Sequence, residues 1–228
     1  MLSRWNDLPT QLRTEQVRPY WEYLNERRIQ LAMKRCFDVV VSASALIVLF
    51  LPMIVIGICI RLDSNGPVFY RQERVTKNAH RFHIHKFRTM IAGADEMGST
   101  VTAAGDGRVT RVGVFLRSTK LDELPQLIDV FRGDMSLVGT RPEAPKYVTR
   151  YCNEYMATLL LPAGITSEAS IRFLQEEEML REAGDIDEVY LNKILPEKMK
   201  WNLLSLTRFS IWNDLRILGH TLLAVLVR

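Results

Sequence analysis

Cysteine is scarce in this chain and unpatterned: Cys36, Cys59 and Cys152 stand far apart, with no metal-ligand spacing. An odd, scattered set excludes a disulfide framework and fits reduced thiols facing a cytosolic compartment. Cys59 lies inside an apolar run and reads as an inert apolar residue. Neither a P-loop nor a dinucleotide fingerprint is present. The first 36 residues are too polar and charged to hold the apolar core of a cleavable signal peptide. No sign of charge prevails: 30 Lys and Arg face 26 Asp and Glu, a net charge of +4. The charge is segregated, however. Residues 61–90 hold seven Lys or Arg against two acids, and residues 168–188 hold eight acids against two Arg. No base-stacking motif accompanies the basic segments, so nucleic acid is a poor partner. Anionic lipid and phosphorylated substrates remain. What is present, 228 residues with 47% apolar and 25% charged, suffices for a real core in one domain with or without appendages.

The longest uncharged run is VVVSASALIVLFLPMIVIGICI, the 22 residues from Val39 to Ile60. As one helix it would cross about 30 Å of hydrocarbon, and hydropathy alone reads it as transmembrane. Two features read otherwise. Pro52 lies near the middle, where it removes a backbone hydrogen bond and disfavours a straight helix. Basic residues stand at both ends, with Arg27, Arg28, Lys34 and Arg35 before and Arg61, Arg71 and Arg74 after. The positive-inside rule expects asymmetry, so this pattern suits a hairpin entering and leaving on the cytoplasmic face. A break at Leu51–Pro52 would give two arms of about 20 Å each, with Ser42 and Ser44 available to satisfy freed backbone groups. Spanning and re-entrant placements both stay open on these grounds. Near the C-terminus, Ile211, Leu215, Leu218, Leu222 and Val225 keep helical spacing. That suits an amphipathic helix on a bilayer or one facing a core. Trp201 and Trp212 suit an interface, and Tyr20, Trp21 and Tyr23 resemble an aromatic belt.

Between these segments, DSNGP at 63–67 is a turn cluster, VFYRQERV at 68–75 is β-prone, and RFHIHKF at 81–87 alternates. Together they predict a β-hairpin, with Phe82 and Ile84 on one face of its second strand and His83 and His85 on the other. His80, His83 and His85 find no further partner that completes a familiar zinc set. Lys86 and Arg88, in KFRTM, could bind anionic lipid or clamp a nucleotide diphosphate. GDGRVTRVG at 105–113, with Arg108 and Arg111, reads as a surface connection or a phosphate-holding loop.

The stretch TKLDELPQLIDVFRGDMSLVGTRPE, Thr119 to Glu143, sets Asp122 beside Glu123. Leu121, Leu124, Leu127, Ile128 and Phe131 form an apolar helical stripe. Ser118 or Thr119 could cap the helix, and Thr119-x-x-Asp122 has capping-box spacing. Successive helical residues point about 100° apart, so the two carboxylates would diverge around a shared space. Acids at a positive helix terminus are ordinary stabilising residues. An ionised aspartate there could equally attack phosphorus or hold a divalent cation. The surrounding cations (Arg108, Arg111, Arg117 and Lys120 before, Arg132 and Arg141 after) favour chemistry on a phosphate ester.

Taken in order, KFRTM, RVTRVGVFLRSTKLDELPQL and RGDMSLVGTRPE resemble the bacterial sugar transferases. These are monotopic phosphoglycosyl transferases that load a sugar-1-phosphate onto polyprenyl (undecaprenyl) phosphate, the first membrane step of bacterial glycan assembly. The resemblance covers roughly residues 34–170 and the C-terminal amphipathic helix. It implies a re-entrant helix–break–helix in the cytoplasmic leaflet of the bacterial inner membrane, with the break at Leu51 and Pro52. It also implies a magnesium-dependent ping-pong reaction. Asp122 would attack the β-phosphorus of a UDP-sugar, release UMP, and hold the phosphosugar until polyprenyl phosphate takes it. Asp122 is thus the implied nucleophile and Mg2+ contact, and Glu123 its partner in orienting the metal or acceptor phosphate. Lys86, Arg88, Arg111, Arg117 and Arg141 are the expected phosphate and nucleotide contacts.

The chain departs from the family pattern in places. Thr140-Arg141-Pro142 stands where Pro-Arg-Pro is usual, and Ala163-Gly164-Ile165-Thr166 where Pro-Gly-Ile-Thr is usual. SEASIRF replaces the common run after that motif, which puts donor identity in question. The expected fold is α-rich α+β, in four parts. Residues 1–33 form a partly helical N-terminal extension, and 34–61 the re-entrant membrane helix broken at Pro52. Residues 62–200 form a compact cytosolic catalytic body with a small β-hairpin, and 201–228 an interfacial amphipathic helix. A non-catalytic membrane scaffold binding anionic lipid is the competing function. The sugar and the oligomeric state, a homo-oligomer included, are left open.

Overall fold

The computed structural model describes residues 2–94, 106–180 and 185–226. Gly105 of the glycine loop and the side chain of Val225 lie outside the described set. Two 3-10 turns, Trp5–Asp7 and Thr10–Leu12, lead into α1 (Arg18–Asn25), which carries Pro19 in its first turn. The long helix α2 (Arg28–Asp63) comes next. The predicted hairpin is β1 (Phe69–Val75) antiparallel to β2 (Arg81–Phe87), with Phe69 opposite Phe87. Then come α3 (Arg111–Ser118), a 3-10 turn (Leu121–Glu123), α4 (Gln126–Arg132), β3 (Met135–Val138) and α5 (Pro145–Val148). A second strand pair, β3 with β4 (Ala163–Thr166), is parallel, and Ser136 stands opposite Gly164. Short helices α6 (Glu168–Arg172), α7 (Glu176–Met179) and α8 (Ile186–Val189) precede α9 (Leu195–Thr207) and α10 (Ile211–Leu226).

The two-armed segment expected from Pro52 is one helical element of 36 residues with the proline inside it. Proline's fixed φ is itself helical, and it removes only its own N–H from the ladder. The expected help from Ser42 and Ser44 is absent: Ser42 Oγ donates to Val39 O at 3.2 Å, and Ser44 is exposed. An 18-residue window of α2 has a mean hydropathy of 2.8, only 6% of its residues are buried, and Ile47, Val48, Phe50 and Leu51 leave apolar surface exposed. The rest is anchored at both ends. Phe37, Val41, Ala45 and Leu49 pack on Leu127, Val130 and Leu137, while Met53, Ile56 and Ile60 pack on Phe87 and Leu116. Asp38 is buried at the base, accepting from Ser136 Oγ (2.7 Å) and Leu137 N–H (3.2 Å).

Described residues ahead of the apolar run pack into the body. Leu2, Leu8, Leu12, Val17, Leu24 and Leu31 share one core with Val75, Leu159, Leu160, Leu203 and Phe209. Residues preceding and following the apolar helix therefore lie in a single core. The expected aromatic belt is consumed there too. Trp21 Nε1 donates to Ser3 O, Tyr20 donates to Glu154, and Arg27 lies over the Tyr23 ring. The C-terminal boundary also moves. α9, with Met199, Leu203 and Leu206 buried, belongs to the body, and Arg172 lies over Trp201. Of these two C-terminal helices it is α10 that bears an exposed apolar face, led by Trp212 at 81% exposed, while its Ile217 is buried against the body.

Candidate active site

Two turns, rather than a helix, place the acid pair. Ser118 Oγ and Thr119 Oγ1 both donate back to Phe115 O, at 2.9 and 2.8 Å, so neither caps the turn that carries the acids. Lys120 adopts the left-handed conformation (φ 59°, ψ 16°) and turns the chain into Leu121–Glu123. Pro125 then stands at the N-cap of α4, where its missing N–H breaks no helical bond. The expected capping box and first-turn placement are thus corrected: Asp122 and Glu123 precede α4. Leu121 and Leu124 pack with Ile60, Phe87 and Leu116, fixing the turn against the end of α2 and the hairpin.

The two acids differ in state. Glu123 is clamped: Lys86 Nζ donates to Oε1 at 3.3 Å, Arg141 Nη1 donates to Oε2 at 3.1 Å, and Arg141 Nη2 donates to Oε1. Burial alone would raise the Glu123 pKa, but Arg141 and Lys86 overcome it and hold the carboxyl well below the usual range. Glu123 in turn raises the Arg141 pKa against the effect of burial. Asp122 is 8% exposed, and its Oδ1 is buried with no hydrogen-bond partner. Burial first, and the Glu123 charge second, push its pKa up against the pull of Lys86, Lys120 and Arg141.

Both acids line a cavity of about 350 Å³. Of the five cations expected at the site, Lys86, Arg88, Arg117 and Arg141 line it too. Arg111 is not in its wall; it opens α3, and its charge acts on Asp63 at the end of α2. Arg88 braces the loop after α2, donating to Asn65 O (2.6 Å), Ser64 O (2.7 Å) and Ser64 Oγ (3.0 Å). The Arg88 Nε stays buried without a partner. Arg108 reaches the same cavity while paired with Asp106 at 2.5 Å. Leu51 and Pro52 are exposed on α2, away from the lining.

Sequence reading missed the rest of the charged lining. Tyr190 Oη donates to Glu143 Oε1 at 2.5 Å, and Lys198 Nζ donates to Glu176 Oε2 (3.0 Å) and Tyr190 Oη (3.1 Å). Burial and Glu143 raise the Tyr190 pKa far above its ordinary value, so it stays a donor. A signal existed: Lys198 and Asn202 interrupt the α9 stripe of Leu195, Met199, Leu203 and Leu206, and both are buried. Half-buried Arg74, its pKa lowered by desolvation, adds a cation to the lining. The histidines carry no such role. His85 is buried on Asp129, which accepts its backbone N–H at 2.9 Å and faces Nδ1 at 2.5 Å.

The residues fit a magnesium ion. An enclosed, partnerless carboxylate oxygen on a cavity wall is the hard ligand such an ion takes. Among the described residues, no three His, Cys, Asp or Glu side chains form a cage of their own. Magnesium usually binds through one or two carboxylates together with substrate phosphates.

A family model described as bacterial sugar transferase matches residues 29–228. The chain is similar to a UDP-N-acetylgalactosamine-undecaprenyl-phosphate N-acetylgalactosaminephosphotransferase of Aeromonas hydrophila, 34% identical over 85% of this chain and 44% of the relative. It is also similar to a UDP-glucose:undecaprenyl-phosphate glucose-1-phosphate transferase of Caulobacter vibrioides, 37% identical over 85% of this chain and 69% of the relative. An exopolysaccharide production protein of Rhizobium leguminosarum is 34% identical over 88% of this chain and 98% of its own. The chain spans 44% and 38% of the length of the Aeromonas relative and of a Xanthomonas campestris glucose-1-phosphate transferase. With a match running from the start of α2 to the last residue, and the acid pair and its arginines inside it, the chain belongs to the bacterial sugar transferase family.

Proposed function

We propose that this chain transfers a sugar-1-phosphate from a UDP-sugar to a polyprenyl phosphate, with Asp122 as nucleophile. One observation carries the reading: Asp122 Oδ1 is buried and partnerless in the wall of a cation-lined cavity, beside a Glu123 held ionised. A lipid-binding scaffold has no use for such an atom.

In this reaction the Asp122 carboxylate attacks the β-phosphorus of the donor. An Asp122–phosphorus bond forms, the bond to the bridging oxygen breaks, and UMP leaves with that electron pair. An oxygen of the polyprenyl phosphate then attacks the same phosphorus, and Asp122 departs as the carboxylate. The two steps divide a transfer between a soluble donor and a membrane acceptor. Magnesium, when bound, would neutralise diphosphate charge and hold it near Asp122. Lys86 and Arg141 supply positive charge, and Glu123 fixes where both point. Arg117 lines the same cavity and adds positive charge there. Burial of Asp122 removes water that would otherwise solvate the nucleophile and compete for the intermediate.

The apolar helix α2 bends at Pro52 inside the cytoplasmic leaflet, so that both its ends and the body stay on the cytoplasmic face. Support comes from the single core that joins residues on both sides of it, Leu24 and Leu31 with Val75 and Phe209. A crossing helix would set these groups on opposite faces of the bilayer. The exposed Trp212, Leu222 and Leu223 of α10 suit contact with the same leaflet.

The test supplies the membrane-reconstituted chain with magnesium, an undecaprenyl phosphate and a panel of UDP-sugars that includes UDP-glucose and UDP-N-acetylgalactosamine. UMP release and a polyprenyl diphospho-sugar from at least one donor are expected. No UMP from any donor, with anionic lipid binding intact and steeply salt-dependent, would replace the enzyme with the scaffold.

A further inference from the structure

A second cavity, of about 380 Å³, adjoins the first. The two share Lys120, Glu123, Arg141, Glu176 and Lys198, so this charged wall borders both. Beyond that wall the chemistry changes. The second cavity runs between Leu127 and Leu137 of the core, Ile171 and Phe173 at α6, and Leu218 and Leu222 of α10. Leu222 is 65% exposed, so the groove opens on the apolar face that α10 shows to its surroundings.

From this we propose that the groove holds the first isoprene units of the acceptor, with the acceptor phosphate at Lys120, Arg141 and Lys198. The occupant rests on the transferase reading; the place rests on the juxtaposition of an apolar groove and a charged wall. A polyprenyl monophosphate has a single prenyl chain and a head with charge near −2, and the groove offers one mostly apolar channel ending at three cations against two acids. A diacyl phospholipid has two chains to place. Entry from the apolar α10 face lets the chain slide from the bilayer without exposing its isoprenes to water. The head then arrives beside Glu123, next to the Asp122 that would carry the phosphosugar. The polar cavity across the wall remains for the nucleotide sugar, with Tyr190, Arg74 and Lys86 around it.

The experiment uses the full chain in lipid nanodiscs and an undecaprenyl phosphate bearing a diazirine on its first isoprene. Photolysis is expected to label peptides within 124–137, 165–174 and 211–226, and excess unlabelled undecaprenyl phosphate should suppress labelling where equal phosphatidic acid does not. Label elsewhere, or equal suppression by phosphatidic acid, overturns the proposal. Filling the groove gives a kinetic arm through Ala224→Trp and, separately, Ile171→Trp. Each should raise the acceptor KM about ten-fold relative to the donor KM, the equivalent of losing one or two buried methylenes. Acceptor and donor KM moving together in both variants would also overturn it. If the wild-type chain releases no UMP from any donor, the transferase reading fails, and the labelling pattern still decides the groove.

Discussion

Asp122 and Glu123 are adjacent in sequence and opposite in state: Glu123 is clamped by Lys86 and Arg141, while Asp122 Oδ1 is buried without a partner. The Glu123 charge is part of what raises the Asp122 pKa. One acid thus organises the cations and biases the other, which stays available for bonding.

That coupling has a pH signature. Asp122 must be ionised to attack, and its pKa is raised, so activity should fall on the acid side at a pH above the ordinary aspartate value of about 3.9. Glu123→Gln removes a charge that raises Asp122. The acid limb of kcat/KM for the residual activity should therefore move to lower pH. It should do so even though the maximum rate drops, because Lys86 and Arg141 lose their clamp. A limb unmoved or displaced upward contradicts the coupling.

Asp122 should also tax stability. A carboxyl whose pKa is higher folded than unfolded destabilises the fold as pH rises through the folded value, so the penalty is present at pH 7. Asp122→Asn is expected to raise Tm at pH 7, by roughly 2–4 °C for each kcal/mol relieved. It should also lower turnover at least about a thousand-fold. Thermal unfolding in detergent at pH 7 and pH 4 checks this, with the gain shrinking at the lower pH.

Gly113 sets how closely α3 approaches the segment that follows β2 along the cavity. A Cβ there would lie 2.0 Å from Thr89 O, a backbone atom that Thr110 N–H already holds at 2.9 Å. Gly113→Ala should cost about 1–3 kcal/mol. It should displace Arg117 and Lys120 with the helix, which a lowered Tm together with a raised donor KM would report.

Topology is checked by thiol labelling in a cysteine-free background. Cysteines at Asn6 and Arg71, exposed positions on either side of α2, should both be protected from an impermeant reagent in whole cells and both react after permeabilisation. Labelling of one alone in whole cells contradicts the re-entrant placement.

Much of the fold was legible because it is written in local pattern. The alternation of 68–75 and 81–87 is a hairpin, and the uncharged run is a helix. Sequence failed where distant residues decide. His85 shares the pleat face of His83 yet is buried, because Asp129 of α4 covers that end of β2. Tyr20, Trp21 and Tyr23 have the look of a membrane belt, but partners at Glu154 and Ser3 take them into the body. The β3–β4 pair joins two four-residue strands across a long separation, and each is too short to announce itself. Of the site, the acid pair, Lys86, Arg117 and Arg141 were visible in one cation-rich stretch and its neighbour. Glu143, Tyr190, Glu176 and Lys198 were not, because their meaning depends on mutual contact.

The most direct measurement is the mass of the intact chain after incubation with magnesium and the UDP-sugar that supports turnover, without any polyprenyl phosphate. A gain of one phosphosugar is predicted, located to Asp122, absent in Asp122→Asn, and discharged when polyprenyl phosphate is added. Sustained turnover with no adduct, or full UMP release by Asp122→Asn, would contradict Asp122 as the nucleophile.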